Sequence, residues 1–187
     1  MQNKKRIIYE IYFPAFCRDF QDLANKIPYF VELGVTTLWL TPIFPSPTEH
    51  GYDIINHFDI KKEYGSFRDF DNFIEKAHEN GLEVLLDLVL CHTSSEHLMF
   101  KESIQGKNDC YFWSNHKVDD TWKICNDTGR YYQAKWYHTM PQLNNQSAQV
   151  RTLIKALIKF WLIEHKVDGF RLDAIKYASG DPIEFWK

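Results

Sequence analysis

The sequence predicts a parallel α/β fold in which helices cover the outside of a sheet. Four apolar segments of strand length follow one another, and amphipathic helical segments separate them. Residues 82–90 are nearly continuous in apolar side chains, which is typical of a parallel strand buried on both faces. An open, doubly wound sheet is the structural alternative. No glycine-rich nucleotide-binding sequence follows the predicted strands, however, so the alternative lacks its usual signature.

The first predicted strand, residues 7–13, precedes a helical segment over residues 22–33. Apolar side chains recur at helical spacing in that segment, Pro28 divides it and Gly34 ends it. The second predicted strand, residues 35–40, follows at once.

A loop rich in proline leads to the second helix, which is predicted to begin at Ser66 with a capping box completed by Asp69. Gly81 ends this helix, and the third strand, residues 82–90, comes directly after it. The predicted apolar face of the helix consists of Phe67, Phe70, Phe73, Ile74 and Ala77.

Residues 93–146 form a long segment rich in polar and aromatic side chains. A structureless loop of this length is uncommon in a compact domain, so we predict a small inserted subdomain. A long amphipathic helix begins at Ser147 and extends through Trp161, and a fourth strand follows over residues 167–174.

Four strands in this arrangement are half of the eight that close a barrel. We therefore predict an α/β fold that is the N-terminal half of a (β/α)8 TIM barrel, with a small subdomain inserted after the third strand. Residues 1–92 would contain the first three strands with their helices and residues 93–146 the subdomain. Residues 147–187 would contain the third helix and the fourth strand and would leave the barrel incomplete.

Composition and charge exclude several classes of protein. The 22 basic and 25 acidic residues give a net charge of −3 without a long run of either sign, so no nucleic-acid partner is expected. No segment approaches the roughly 20 apolar residues that span a bilayer, and no signal peptide is recognisable. The 4 cysteines lack disulfide-framework or zinc-finger spacing, and the adjacent pair Cys91 and His92 does not supply it. We expect a cytoplasmic protein with reduced thiols, no membrane association and no metal site.

Charged side chains lie at the C-terminal ends of two predicted strands. Arg171 and Asp173 alternate with Leu172 and therefore share one face of the fourth strand. Asp87 lies inside the apolar third strand, and His92 follows the end of that strand. A structural ion pair is one interpretation of the charges on the fourth strand. A catalytic site is the other, because barrel enzymes place their active sites at this rim.

Four short motifs resemble the α-amylase family of retaining α-glucan enzymes. Residues 87–92 (DLVLCH) and 169–176 (GFRLDAIK) resemble its first and second signature motifs. Residues 50–53 (HGYD) and 140–144 (MPQLN) resemble its motifs after the second strand and in the inserted domain. The resemblance extends over residues 7–177, so it implies the family's barrel for nearly the whole chain.

The resemblance implies two catalytic residues. Asp173 matches the nucleophile, and Arg171 matches the residue that orients this carboxylate and keeps it charged, as a nucleophile must be at neutral pH.

The resemblance also implies four substrate-binding or supporting residues. Tyr52 matches the ring that stacks under the sugar at the cleaved bond, and His92 matches a hydrogen-bond donor to that sugar. Asp87 matches a position that supports the active site, and Lys176 matches a contact on the leaving-group side.

These assignments imply an enzyme that cleaves or transfers α-linked glucose by retaining double displacement, with α-1,4 links preferred. Such a mechanism needs a second carboxylate as general acid, about 5 Å from the nucleophile. In the family this Glu follows the fifth strand, so we expect the 187-residue chain alone to be inactive. We also expect it to self-associate, because half a barrel leaves two strand edges unpaired. The alternatives are a glucanotransferase, or a non-catalytic sugar-binding or interaction protein built on the same barrel.

No cofactor is expected for this chemistry. Family members that hold a structural calcium near the active site usually carry Asn at the position of Cys91. A neutral thiol is a poor ligand for a hard cation, so calcium is not expected here.

Overall fold

The computed structural model describes residues 5–178, which form a parallel sheet of four strands and a separate antiparallel sheet of three. The strands are β1 (Ile8–Ile11), β2 (Thr37–Leu40), β3 (Glu83–Val89), β4 (Trp113–Ser114), β5 (Trp122–Ile124), β6 (Tyr131–Gln133) and β7 (Gly169–Asp173). The α-helices are α1 (Phe13–Phe16), α2 (Phe20–Asn25), α3 (Ile27–Glu32), α4 (Phe67–Glu79), α5 (Leu98–Ile104) and α6 (Ala148–Lys159). No helix in this part of the chain is long and apolar enough to cross a membrane.

The large sheet has the strand order β1-β2-β3-β7, and every neighbouring pair is parallel. Each new strand is therefore added on the same side of the one before it. A doubly wound sheet instead reverses its order at a switch point, so that alternative is wrong. The described residues form the N-terminal part of a (β/α)8 barrel, as predicted.

The four sheet strands are shorter than their predicted segments, although each lies within one. Strand β1 ends at Ile11 because Pro14 lies in the first turn of α1, which takes Phe13 into a helical turn. The ring of Phe13 stacks on that of Tyr64, with 4.1 Å between ring centroids. The predicted strand over residues 7–13 was too long because a short proline-containing helix intervenes.

The helix predicted over residues 22–33 is two helices that begin earlier in the chain. Asp19 caps α2 by accepting a hydrogen bond from the backbone nitrogen of Asp22 at 2.7 Å. The predicted break is confirmed, because Pro28 lies in the first turn of α3 rather than in a helix interior. The predicted start at Asp22 was wrong because Asp22 belongs to the first turn rather than to the cap.

Helix α4 has the capping box predicted from Ser66 and Asp69. The Asp69 carboxylate accepts from the backbone nitrogen of Ser66 at 2.8 Å, and the Ser66 hydroxyl accepts from the backbone nitrogen of Asp69 at 3.3 Å. Four of the five residues of the predicted apolar face are buried, and Phe67 is partly buried. Gly81 then adopts a φ of 73°, the left-handed geometry that ends the helix and starts β3.

Helix α6 begins at the predicted cap, Ser147, but its last turn changes character. A π-helical turn over Phe160–Glu164 replaces the end of the predicted regular helix. This turn carries the fully buried Trp161, whose indole nitrogen donates to the backbone oxygen of His57 at 2.9 Å. The π turn therefore ties the helix to the loop that follows β2.

The segment between β3 and α6 contains α5 and the small sheet, whose strand order is β4-β6-β5. Its two ends are held together next to the barrel. The backbone nitrogen of Leu143 donates to the oxygen of Cys91 at 2.9 Å, and that of Thr93 donates to Pro141 at 3.2 Å. The chain thus leaves the barrel and returns at nearly one place, which is the geometry of an insertion.

The two faces of the large sheet differ in burial. The outer face is apolar and belongs to one hydrophobic cluster with the helices, as Leu38, Leu86 and Trp161 illustrate. The inner face, which carries Arg171, is partly open: Ile8 is 52% exposed, and Trp39 is only partly buried. The core therefore lies between the sheet and its outer helices.

Candidate active site

The predicted catalytic strands place their charged residues at one rim of the sheet. Asp87 of β3 and Arg171 of β7 are register partners, and Asp173 lies one step further toward the C-terminal end on the same face. Ala174, with a φ of 47°, ends the strand immediately after Asp173 and turns the chain away. The parallel register therefore brings together residues that are 84 positions apart in sequence.

Arg171 bridges the two carboxylates. Its Nη1 lies 3.0 Å from each oxygen of Asp87 and 2.6 Å from Oδ1 of Asp173. The guanidinium also lies over the ring of Trp39, at 4.8 Å from its centroid. These contacts fix the Asp173 carboxylate through a charge-assisted hydrogen bond.

Asp87 is fully buried, and Tyr52 adds a third hydrogen bond to it, with the hydroxyl 3.0 Å from Oδ2. Burial raises the pKa of Asp87 to about 6, against the lowering effect of the Arg171 cation. Burial also lowers the pKa of Arg171, but the hydrogen bond and charge of Asp87 outweigh it, so that pKa is raised. The Asp87 carboxylate has no exposed surface and lies beneath Arg171 and Tyr52, a placement that agrees with the supporting role implied by the resemblance.

The hydrogen bonds of His92 determine its tautomer. Nε2 lies 3.0 Å from the backbone oxygen of Tyr52, which only accepts, so Nε2 carries the proton. Nδ1 then accepts from the Cys91 thiol at 3.2 Å. Burial lowers the pKa of His92 to about 4, so the ring is neutral. His92 also lines the pocket, and its role as a hydrogen-bond donor to a sugar stays a prediction.

Lys176 lies apart from the other predicted residues. It is exposed in the turn after β7, and its ammonium lies 4.9 Å from the ring centroid of Tyr177. The structure does not bring it among the residues that line the pocket. Lys135 contacts the same ring at 3.6 Å.

Asp173 opens into a pocket of about 290 Å³ above the strand ends. Its side chain is 17% exposed, in contrast to the fully buried Asp87. The walls are mainly aromatic. The lining residues are His50, Tyr52, His92, Trp136, Tyr137, Met140 and Asp173. A carboxylate at the bottom of an aromatic pocket suits a neutral, ring-shaped ligand.

Three aromatic residues of the site were not predicted from the sequence. Trp136 and Tyr137 line the pocket, and Trp39 lies beneath Arg171. The ring of Trp136 lies 4.9 Å from that of His92 and 5.4 Å from that of Tyr177. Trp136 and Tyr137 lie in the inserted segment, where no helical or strand period marks an inward face. The only signal was two adjacent aromatic residues in a polar stretch.

The calcium site of some family members does not fit the residues here. Cys91 is 1% exposed, burial raises the pKa of its thiol to about 12, and the thiol donates to His92. A protonated thiol is a neutral sulfur group, whereas a hard cation such as calcium binds oxygen ligands.

A family model for the catalytic domain of α-amylase matches residues 14–184. The chain belongs to the α-amylase family. Among curated members it is 42% identical to "Alpha-amylase 3" of Dictyoglomus thermophilum, over 98% of this chain and 40% of that protein. It is 37% identical to "4-alpha-glucanotransferase" of Thermotoga maritima, over 96% of this chain and 45% of that protein.

Solved structures of the α-amylase family share the fold of this chain. Amy13B of Eubacterium rectale superposes with a TM-score of 0.89 at 32% identity, over 99% of this chain and 40% of that one. The chain thus spans less than half the length of the relatives named here.

Proposed function

We propose that the protein carrying this chain cleaves or transfers α-linked glucose units by a retaining double displacement, with Asp173 as the nucleophile. The observation that carries the proposal is the contact of 2.6 Å between Arg171 and Asp173 at the bottom of an aromatic pocket. The similarity of this chain to an α-amylase and to a 4-α-glucanotransferase supports the choice of substrate class.

In the proposed first step, an Asp173 oxygen attacks the anomeric carbon while the glycosidic C–O bond breaks. The leaving oxygen takes a proton from a general acid, and a glycosyl ester of Asp173 remains. In the second step water attacks the same carbon, gives its proton to the conjugate base of that acid, and the bond from this carbon to the Asp173 oxygen breaks. If a sugar hydroxyl replaces the water, the outcome is transfer.

Arg171 would serve both steps without touching the sugar. Its hydrogen bond holds Asp173 and favours the carboxylate that attacks first and leaves last. Asp87 and Trp39 position the guanidinium from below.

The general acid would come from outside residues 5–178. Asp173 is the only carboxylate among the lining residues of the described pocket. A retaining mechanism needs a second one at about 5 Å. We infer that another part of the protein supplies it across the open mouth of the pocket.

The test replaces Asp173 by Asn in the full-length protein and measures release of reducing ends from maltooligosaccharides. Turnover should fall by several orders of magnitude, because covalent catalysis is removed while the shape of the pocket is kept. Asp127→Asn, the same change at an exposed carboxylate of the inserted segment, should leave turnover unchanged. Substantial activity in the Asp173 variant would refute the assignment.

We further propose a preference for α-1,4 links. The basis is the sequence of residues 140–144, of which Met140 lines the pocket. Initial rates on maltotriose should exceed those on isomaltotriose. Faster cleavage of isomaltotriose would overturn the preference without affecting the nucleophile.

We propose that the chemistry needs neither a metal nor an organic cofactor, because Asp173 and a general acid supply each step. Treatment with a chelator should therefore leave the activity unchanged. A cytoplasmic location is also proposed, since all 4 cysteines are buried free thiols, as expected in a reducing compartment.

A further inference from the structure

The outer face of the small antiparallel sheet carries large apolar side chains. The register pairs Ile124 with Tyr131 and Trp122 with Gln133, so Trp122, Ile124 and Tyr131 share this face. The opposite face carries Tyr132, which is buried against Phe100 at 5.0 Å between ring centroids. The inner face therefore already provides the core of the subdomain, and the apolar outer face has no role in that core.

A second pocket of about 450 Å³ adjoins this sheet, and its lining takes Trp122, Ile124 and Tyr131 from the outer face and Lys123 and Tyr132 from the opposite one. Trp122 and Tyr131 are half-buried in its wall, and Ile124 is 52% exposed. Polar groups surround the rings at Lys117, Lys123 and His138. Flat rings with hydrogen-bonding groups at the edge suit a ligand that has apolar faces and polar rims, as a sugar ring does.

The charges around this pocket disfavour an anionic ligand. Lys117 pairs with the Asp120 carboxylate at 2.7 Å, and Lys123 donates to the Asp120 backbone oxygen at 2.7 Å. Asp119 adds a further carboxylate beside them and is held by Thr121. Binding of single-stranded nucleic acid needs an uncompensated positive groove, whereas the carboxylates of Asp119 and Asp120 balance the charges of the two lysines here. An uncharged ligand fits this balance.

One short turn separates this pocket from the candidate active site. Trp136 and Tyr137 line the active-site pocket, and the next residue, His138, lines the pocket on the sheet. The turn is held in place because the Tyr132 hydroxyl donates to the backbone oxygen of His138 at 2.7 Å. At this turn the lining of the second pocket therefore lies one residue after that of the active-site pocket.

We propose that Trp122 and Tyr131 form a second binding site for the same α-linked glucose chain. This inference rests on the proposed function. The site would hold a distant segment of a long substrate and would not contribute to cleavage of short ones.

The test compares Trp122→Ala and Tyr131→Ala in the full-length protein. Maltoheptaose is titrated calorimetrically into an Asp173→Asn background, which prevents turnover. Each change should weaken binding at one site by about tenfold, the loss expected for one stacking ring.

Trp122→Phe should retain most of the affinity, and Leu98→Ala, at a 68% exposed position of the same subdomain, should have no effect. With Asp173 intact, kcat/KM should fall on amylose and stay unchanged on maltotriose.

The outcomes separate the two proposals. If maltotriose is cleaved but the Trp122 and Tyr131 variants bind maltoheptaose like the parent, only the second site is overturned. Binding of oligothymidylate that Trp122→Ala abolishes would assign the face to nucleic acid and also overturn it. If these variants lower the melting temperature without changing sugar affinity, the face is covered by protein and the proposal is wrong. If no α-glucan is bound or cleaved, the proposed function itself fails.

Discussion

Arg171 holds two carboxylates whose environments differ. Asp87 has no exposed surface, whereas the side chain of Asp173 is 17% exposed and reaches the pocket. The Arg171 side chain is 37% exposed. The same cation therefore compensates a buried charge on one side and positions a reactive charge on the other.

This arrangement predicts a pH-dependent cost for Arg171→Met. Without the guanidinium, Asp87 becomes an uncompensated buried carboxylate, and unfolding at pH 8 should become easier by about 3 kcal/mol. The pKa of Asp87 is already raised by burial and should rise further, so protonation relieves the penalty as the pH falls. Urea unfolding of the full-length variant at pH 8 and pH 5 measures both quantities.

Arg171→Met combined with Asp87→Asn is the matched control. The neutral amide cannot ionise, so the double variant should show less destabilisation at pH 8 and lose the added pH dependence. Equal costs for the single and double variants would show that packing of Arg171 on Trp39, and not its charge, accounts for the loss.

At the scale of elements, the loops after β2 and β3 pack together through neutral histidines. His57 lies on the first loop, with Nε2 donating to the backbone oxygen of Val89 at 3.1 Å, and its ring lies 5.7 Å from that of His97. His97 caps α5 by accepting from the backbone nitrogen of Met99. Burial lowers the pKa of His57 to about 3 and that of His97 to about 4. Burial likewise lowers the pKa of His92, to about 4.

These histidines predict loss of stability in mild acid. The unfolded chain takes up protons near the ordinary histidine pKa of about 6.5, whereas the folded protein does not. Stability is therefore full above that pH and falls as the pH decreases, by about 2 kcal/mol per histidine at pH 5. Asp87, whose pKa is raised, acts in the opposite direction and offsets part of the loss.

The measurement is the urea midpoint of unfolding between pH 7.5 and pH 5. His97→Gln should make the decline with falling pH shallower. His116→Gln, at an exposed histidine of the same subdomain, should leave the slope unchanged. A midpoint that rises toward pH 5 would contradict the assignment of neutral histidines.

At the scale of the whole molecule, the inner face of the large sheet is left open. Ile8 is 52% exposed, Glu10 is exposed, and β1 and β7 are the two edges of the sheet. Unpaired strand edges and open apolar faces promote association between chains. The candidate active site also has no second carboxylate among the described residues that line its pocket.

The isolated 187-residue chain should therefore self-associate and should not cleave maltooligosaccharides. Light scattering measures the mass. Ile8→Glu should weaken association because it places a charge on the open face. Leu98→Glu, on the exposed surface of the inserted segment, should not. A monomer that cleaves the substrate, and loses activity with Asp173→Asn, would refute the expectation.

Much of this molecule follows from periodicity and short motifs. The continuous apolar run of β3, the capping box of Ser66 and the alternation of Arg171 with Asp173 depend on neighbours within a few residues. Local backbone geometry decides such features, so the succession of strands and helices and the strand face that carries Asp173 could be predicted. The barrel class rested on the number of strands and on the resemblance to a family. Element ends were less accurate, because Pro14 and Asp19 act through turns that hydrophobic spacing does not reveal.

Tertiary structure alone decided which residues of the site are buried, which are hydrogen-bonded to one another and which reach the pocket. Burial of Asp87 requires Arg171 and Tyr52, which come from distant positions in sequence. The tautomer of His92 depends on the Tyr52 carbonyl, and the wall formed by Trp136 depends on the path of the inserted segment. The sequence determined which groups the protein has and on which strand face they lie. Whether each group is buried, paired or open to a ligand was decided by packing, because desolvation and hydrogen bonding depend on every element that surrounds the group.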